Sequence, residues 1–399
     1  MNICFLNLGL QPLANNYQKL RKYKNTKFYK LKIMFNTKNF SVKIHKIISK
    51  KIMFNNKYPY KSSLSKTFLK NQKKLSQKIK KIYKPTKVLE IGSNDGSFIK
   101  NFSHKEALCV EPCSNLAKIT LNMGYKTYSC YWNNFAANKI KKDLDGKRVD
   151  LIYSANTISH ISNLRDVLYS VKKVLDPQGI MIIEDPSLLN CLRNNAYDQF
   201  YNEHIYVFSL LSLNTFLNSM GFCIFDVENI KTHGGSLRYY IKKKNNKIYK
   251  ITKNFYNQLR EEKKFGLHKV STYYKFAKKV LDSKEKLISI LKEIRKRGHK
   301  IIGYGATAKS ATVLNFCNID SNLIDFFVDT TTAKQFKYIP GTDIFIKPYS
   351  KDLIKKNKYI FLGAWNLKEE IFSKEREFLS KKGKFITHVP FPRIIKARF

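Results

Sequence analysis

Apolar residues recur along this chain with two different periods. Between Ser62 and Ile82, Leu64, Phe68, Leu75 and Ile79 fall near helical spacing, which predicts a helix that Pro85 ends. The pattern then changes to short continuous apolar runs: VLEIG (88–92), ALCVEP (107–112), VDLIYSA (149–155) and GIMIIEDP (179–186), followed by FCIFDVENI (222–230) and LRYYIKK (237–243). Such runs, bounded by turn residues and separated by helical stretches, predict strands buried on both faces of a parallel, doubly wound sheet. The last two follow each other closely and are expected to pair antiparallel at the sheet end. Residues 246–298 lack Pro and carry Val280, Leu281, Leu287, Ile288, Ile290, Leu291 and Ile294 on one broad helical face, with Gly298 as the stop. A second α/β unit follows, with strands expected at 300–305, 324–329, 359–363 and 384–389 and a helix over ATAKSATVLNF.

Charge is the unusual feature. The 399 residues carry 75 Lys+Arg against 29 Asp+Glu, a net +46, and residues 1–87 contain no acid. A balance this basic raises a nucleic-acid partner, giving the alternative of a basic nucleic-acid-binding protein on an enzyme scaffold. Lys far outnumbers Arg, however, and bidentate phosphate and guanine reading favours Arg. We read the charge as compositional bias that also favours an anionic substrate, and not as the mark of nucleic acid. No apolar run is long enough to span a membrane, and none is expected as a partner. The seven cysteines form no CxxC pair, and no secretory pattern opens the chain, so a reduced cytoplasmic protein is expected.

Candidate chemistry collects at the ends of the expected strands. Gly92 and Gly96 lie in a turn between the first strand and a helix, and Glu111 ends the next strand, 19 residues after Gly92. Glycine allows close backbone approach, and an acid at that point accepts hydrogen bonds from ribose hydroxyls. Asn94 and Asp95 suit a pyrophosphate poorly, so the turn favours S-adenosylmethionine over a dinucleotide. His160, His204 and His233 follow the later strands, with Tyr201 and Glu203 beside His204. Imidazole suits proton transfer near neutral pH. GYGATAKS (303–310) is a second strand-to-helix turn whose amides could meet a phosphate, with Lys309 and Arg238 as cations for a diphosphate.

These segments together resemble the sugar C-methyltransferases, which methylate nucleotide-linked keto-deoxysugars with S-adenosylmethionine. The matching stretches include LGLQPLAN (8–15), YPYKSSLSKTF (58–68), VLEIGSNDGSF (88–98), FYNEHIYVFSL (200–210), THGGSLR (232–238), GYGATAKSATVLNF (303–316), the DFFVD segment (325–346) and AWN (364–366). The resemblance implies an α/β chain: a Rossmann-like class I methyltransferase domain (61–245), a helical connector (246–298) and a second Rossmann-like α/β domain (299–399). It makes residues 1–60 the remnant of a zinc-binding module. Of the family's first Cys pair only Cys4 is present, and Asn36 and Asn39 stand at the second. Neutral Asn replaces thiolate poorly, so no zinc is expected, and the fold of this segment, which in the family depends on metal, comes into question. A decayed enzyme is a further alternative.

Carried over residue by residue, the resemblance makes His204 the general base, with Glu203 orienting its ring and Tyr201 and His160 as companions. Gly92, Asp95, Gly96 and Glu111 become cofactor contacts. Tyr60 becomes a substrate- or cofactor-side aromatic, and the residue reading adds His233, Arg238 and Lys309 on the substrate side. The implied reaction is proton removal beside a ketone, followed by attack of the enolate carbon on the sulfonium methyl group.

Overall fold

The structure, a computed structural model, describes residues 1–19 and 26–395. Three strands open the chain: β1 (Asn2–Pro12), β2 (Phe28–Asn36) and β3 (Val42–Ile44). The middle segment supplies β4 (Val88–Ile91), β5 (Ala107–Val110), β6 (Lys126–Tyr128), β7 (Val149–Ala155), β8 (Leu175–Pro186), β9 (Tyr206–Val207), β10 (Phe222–Ile230) and β11 (Ser236–Lys243). The last segment supplies β12 (Ile301–Tyr304), β13 (Phe326–Asp329), β14 (Phe345–Pro348), β15 (Tyr359–Leu362), β16 (Lys384–Thr387) and β17 (Arg393–Ile395).

The central sheet has the order β10-β11-β8-β7-β4-β5-β6. Strands β4 to β8 are parallel, and β11 and β10 close one edge antiparallel, as the sequence pattern predicts. Every residue of β4 and β5 is buried, which is why their sequences read as apolar runs broken only by Glu90. The C-terminal sheet has the order β14-β13-β12-β15-β16-β17, parallel except for β17. In each sheet the strand order reverses direction beside the strand that leads into the Gly turn, β4 in one and β12 in the other. Ligand crevices of open α/β sheets lie at such points.

The N-terminal segment, whose fold the missing cysteines bring into question, forms a sheet of its own. Strands β1, β2 and β3 pair antiparallel, and β9, from within the 61–245 segment, extends the same sheet. Leu31, Ile33 and Phe35 alternate inward along β2 and are buried. Phe35 stacks on Tyr273 of the long helix Val270–Lys296, with ring centroids 4.1 Å apart, and Phe5 meets the same ring at 5.0 Å. Each such side chain contributes about 1.5–3 kcal/mol on burial, so apolar packing stabilises this segment. Asn36 and Asn39, the two positions carried over as Cys sites, organise a turn. Asn36 Oδ1 accepts from the Lys38 and Asn39 amides at 2.9 and 3.0 Å, and its Nδ2 donates to Asn2. Among the described residues no three His, Cys, Asp or Glu side chains converge as metal ligands.

The connector is two helices, Lys253–Phe265 and Val270–Lys296, separated at Gly266, whose φ of +90 ends the first. The apolar core under β1–β3 continues through the connector into the face of the C-terminal sheet. Among the described residues no helix is long and apolar enough to cross a membrane.

Candidate active site

The first Gly turn leaves β4. Gly92 has φ +75, and a Cβ there would lie 2.2 Å from Thr157 Oγ1, so only glycine fits. Asn94, also at positive φ, donates its amide to Glu111 Oε2 at 2.8 Å, and Cys113 donates its amide to Oε1 at 2.8 Å. Burial raises the Glu111 carboxyl pKa. Glu111 lines the cleft and retains lone pairs for a ligand.

Three expectations at this turn are corrected. Asp95 does not line the cleft. Its Oδ1 accepts from Ser62 Oγ and Ser97 Oγ, both at 2.8 Å, and its carboxylate also takes the Ser63 amide. It fastens residues 62–63 to the turn. Gly96 also lies off the cleft and serves close packing against Thr120 and Met123. The helix expected after the turn is a single 3-10 turn, Ile99–Asn101. Asp and Ser side chains here bond local backbone and hydroxyl groups, which competes with helix formation. No long helix therefore aims its positive end at this turn, which suits a cationic sulfonium better than a phosphate.

Opposite lies the His204 cluster. His204 is buried, with Nε2 2.6 Å from the Tyr201 hydroxyl and Nδ1 2.7 Å from the Gln199 carbonyl oxygen. His160 stacks beside it, ring centroids 5.2 Å apart, and its other face meets Phe54. Burial pushes His160 down to about 4, and burial with the His160 neighbour pushes His204 well below the usual imidazole value, so both rings are neutral at pH 7.

Glu203 does not orient His204, contrary to expectation. Its carboxylate accepts instead from two cleft-lining residues, Asn15 Nδ2 at 2.8 and 3.0 Å and the Tyr58 hydroxyl at 2.9 Å. The Gln199 carbonyl holds the ring instead. Burial raises Glu203 to about 7.

On the substrate side, Tyr60, His233 and Lys309 line the cleft. His233 takes a positive φ, packs edge-on to Phe68, and is lowered to about 3 by burial. Arg238 does not reach the cleft. It is buried between strands, with Nη2 2.8 Å from Glu184 and Nη1 2.9 Å from Glu228, and those carboxylates consume its charge. Lys309 is 8% exposed at the start of the helix Ala308–Cys317 and lines the cleft. Burial lowers its pKa, opposed by the charge of Asp198. An ammonium at a cleft wall is suited to an anionic ligand.

The cleft these groups share has a volume of about 690 Å³ and touches all three sheets' segments. Sequence reasoning missed several of its supports. Asn15 and Tyr58 lie in LGLQPLAN and YPYKSS, noted without a role, and Trp365 in AWN donates its indole N–H to Asp198 at 2.6 Å. Asp198 also pairs with His388 Nε2 at 3.0 Å, which ties the C-terminal domain to the residue preceding Gln199.

A family model described as "C-methyltransferase C-terminal domain" matches residues 231–390, and one described as "Methyltransferase domain" matches residues 60–226. The C-methyltransferase NovU of Streptomyces niveus is 30% identical over 312 residues, 78% of this chain and 74% of that protein. Among solved structures, a SAM-dependent methyltransferase, possible histamine N-methyltransferase, from Thermotoga maritima aligns at 14% identity over 44% of this chain and 88% of that chain, with TM-score 0.34. The plantazolicin methyltransferase BpumL in complex with SAH aligns at 11% identity over 44% and 83%, also with TM-score 0.34.

Proposed function

Because this chain belongs to the C-methyltransferase family, we propose that it methylates a carbon of a nucleotide-linked keto-deoxysugar, using S-adenosylmethionine and an enolate generated by His204. The observation that carries the reading is the pairing of His204. A carbonyl oxygen only accepts, so the Gln199 contact fixes the proton on Nδ1 and leaves Nε2 with a lone pair, toward which the Tyr201 hydroxyl donates.

The cofactor fits the first turn. Gly92 gives the backbone approach, Glu111 offers acceptors for ribose hydroxyls, and no lysine from the turn itself enters the cleft there. S-adenosylmethionine bound there supplies an electrophilic methyl group on a sulfonium.

The chain's own residues do the rest. Turning of the Tyr201 hydroxyl onto the keto oxygen frees Nε2 for the proton on the neighbouring carbon. The C–H bond breaks, the proton goes to Nε2, and its electron pair forms the enolate. Walls from the two α/β domains hold that carbon against the methyl group. The imidazolium then returns its proton to solvent. Lys309 and the amides at the start of Ala308–Cys317 hold the diphosphate.

Deuterium exchange tests this reading before any methyl transfer. In D2O without cofactor, the wild-type chain is expected to exchange the hydrogen beside the ketone of the keto-deoxysugar nucleotide, and His204→Asn is not. Equal exchange by both contradicts the assignment of the base.

A further inference from the structure

Three consecutive residues of the middle segment divide between two sets of partners. Tyr197, Asp198 and Gln199 form a buried 3-10 turn. Tyr197 and Asp198 face the C-terminal domain. The Tyr197 ring meets Phe316 and His388 edge-on, with centroids 5.5 and 5.7 Å apart. Asp198 Oδ2 accepts from the Trp365 indole at 2.6 Å and from His388 Nε2 at 3.0 Å. Gln199 faces the histidines of the cleft. Its carbonyl oxygen lies 2.7 Å from His204 Nδ1, and its Nε2 donates to the His233 carbonyl at 2.6 Å. Trp365 bears on the same pair of turns: a Cβ at Gly234, next to His233, would lie 2.4 Å from its Cη2.

We propose that Asp198 is a positioning residue: held by Trp365 and His388, it lets the C-terminal domain set the Gln199 carbonyl, and with it the proton state and direction of the His204 ring. This rests on the reading of His204 as the base and deepens it by naming what holds that base in place.

The linkage is short. Hydrogen bonds to a carboxylate are stronger than those between neutral groups, and two donors from packed aromatic rings converge on one oxygen of Asp198. Only the two torsions of Gln199 lie between the planar peptide bond after Asp198 and the Gln199 carbonyl. The bond from the Gln199 side chain to His233 restrains those. The base is therefore set where the two α/β domains are docked. The C-terminal domain takes part in proton transfer by this route, as well as forming a wall of the cleft.

Nitrogen-15 NMR of the full chain labelled at histidine tests the assignment at pH 7, with the His204 ring identified by its loss in His204→Asn. The wild type should show one neutral tautomer, protonated on Nδ1. Asp198→Ala should add the Nε2-protonated tautomer. It should also slow deuterium exchange beside the ketone of the keto-deoxysugar nucleotide by about a hundredfold, as a small misplacement of the base does, with S-adenosylhomocysteine affinity unchanged. A residue that only supports the fold would lower Tm and leave the tautomer as it is. Where Asp198→Ala fails to fold, Trp365→Phe takes its place and should show the same second tautomer. An Nε2-protonated ring in the wild type, or a variant with the single Nδ1-protonated tautomer or the wild-type exchange rate, overturns the role of Asp198. The base reading then still stands if His204→Asn abolishes exchange. Equal exchange by wild type and His204→Asn overturns the base reading itself, whichever tautomer is seen.

Discussion

The Tyr201 hydroxyl lies 2.6 Å from Nε2 of His204, and the ring's other nitrogen is held by the Gln199 carbonyl. One proton state follows, with a lone pair on the nitrogen nearer the phenol. His204→Asn should therefore lower turnover by about 10²–10⁴-fold, the usual contribution of a general base, with S-adenosylhomocysteine affinity unchanged. Because His204 is pushed below 6.5, its base form persists under mild acid. The acid limb of the pH–rate profile should lie below pH 6.5, as a series of turnover measurements from pH 5 to 8 will show.

Glu203 makes stability fall as pH rises. Its carboxyl is raised from 4.5 to about 7 by burial, so the folded chain holds a proton that the unfolded chain has lost between those values. Stability from this group is complete below about pH 4.5 and lost as pH passes through about 7. Thermal melts from pH 5 to 8 should show the wild type losing Tm relative to Glu203→Gln, which stays neutral throughout and keeps an acceptor for Asn15 or Tyr58.

Asp198 and His388 are each 0% exposed and belong to different α/β domains. Removing His388 takes one hydrogen-bond partner from the buried Asp198 carboxylate, which keeps the Trp365 indole. His388→Ala should cost about 1–3 kcal/mol in a denaturant titration. Trp365→Phe, which removes one donor to the same carboxylate, should cost about 1–3 kcal/mol.

The N-terminal sheet draws its stability from apolar packing. Phe35→Ala should cost about 3–5 kcal/mol, because it empties the contact with Tyr273. Incubation with a chelator should leave Tm unchanged. A fall in Tm on chelation would show a bound metal that supports this segment.

Much of the central sheet was legible because burial on both faces makes β4, β5 and β7 nearly uninterrupted apolar runs. The N-terminal strands were not read, although Leu31, Ile33 and Phe35 alternate, because Lys30 and Lys32 fill the outward positions of a lysine-rich region. The short strands β6, β14 and β17 carry too few residues to show a period. At the site, His204, Glu111 and Lys309 were identifiable from motif and strand end. The roles of Asp95, Glu203 and Arg238 depend on partners far away in the chain. Ser62 lies 33 residues from Asp95, Asn15 lies 188 from Glu203 and Glu184 lies 54 from Arg238, and local spacing carries no trace of them.

Transfer of isotope-labelled methyl from S-adenosylmethionine to a panel of nucleotide-linked keto-deoxysugars, with the product carbon located by NMR, tests the central claim most directly. The account predicts a new carbon–carbon bond at the position beside the ketone, formed by the wild type and lost in His204→Asn. Label on oxygen or nitrogen, or carbon methylation that survives in His204→Asn, would contradict it.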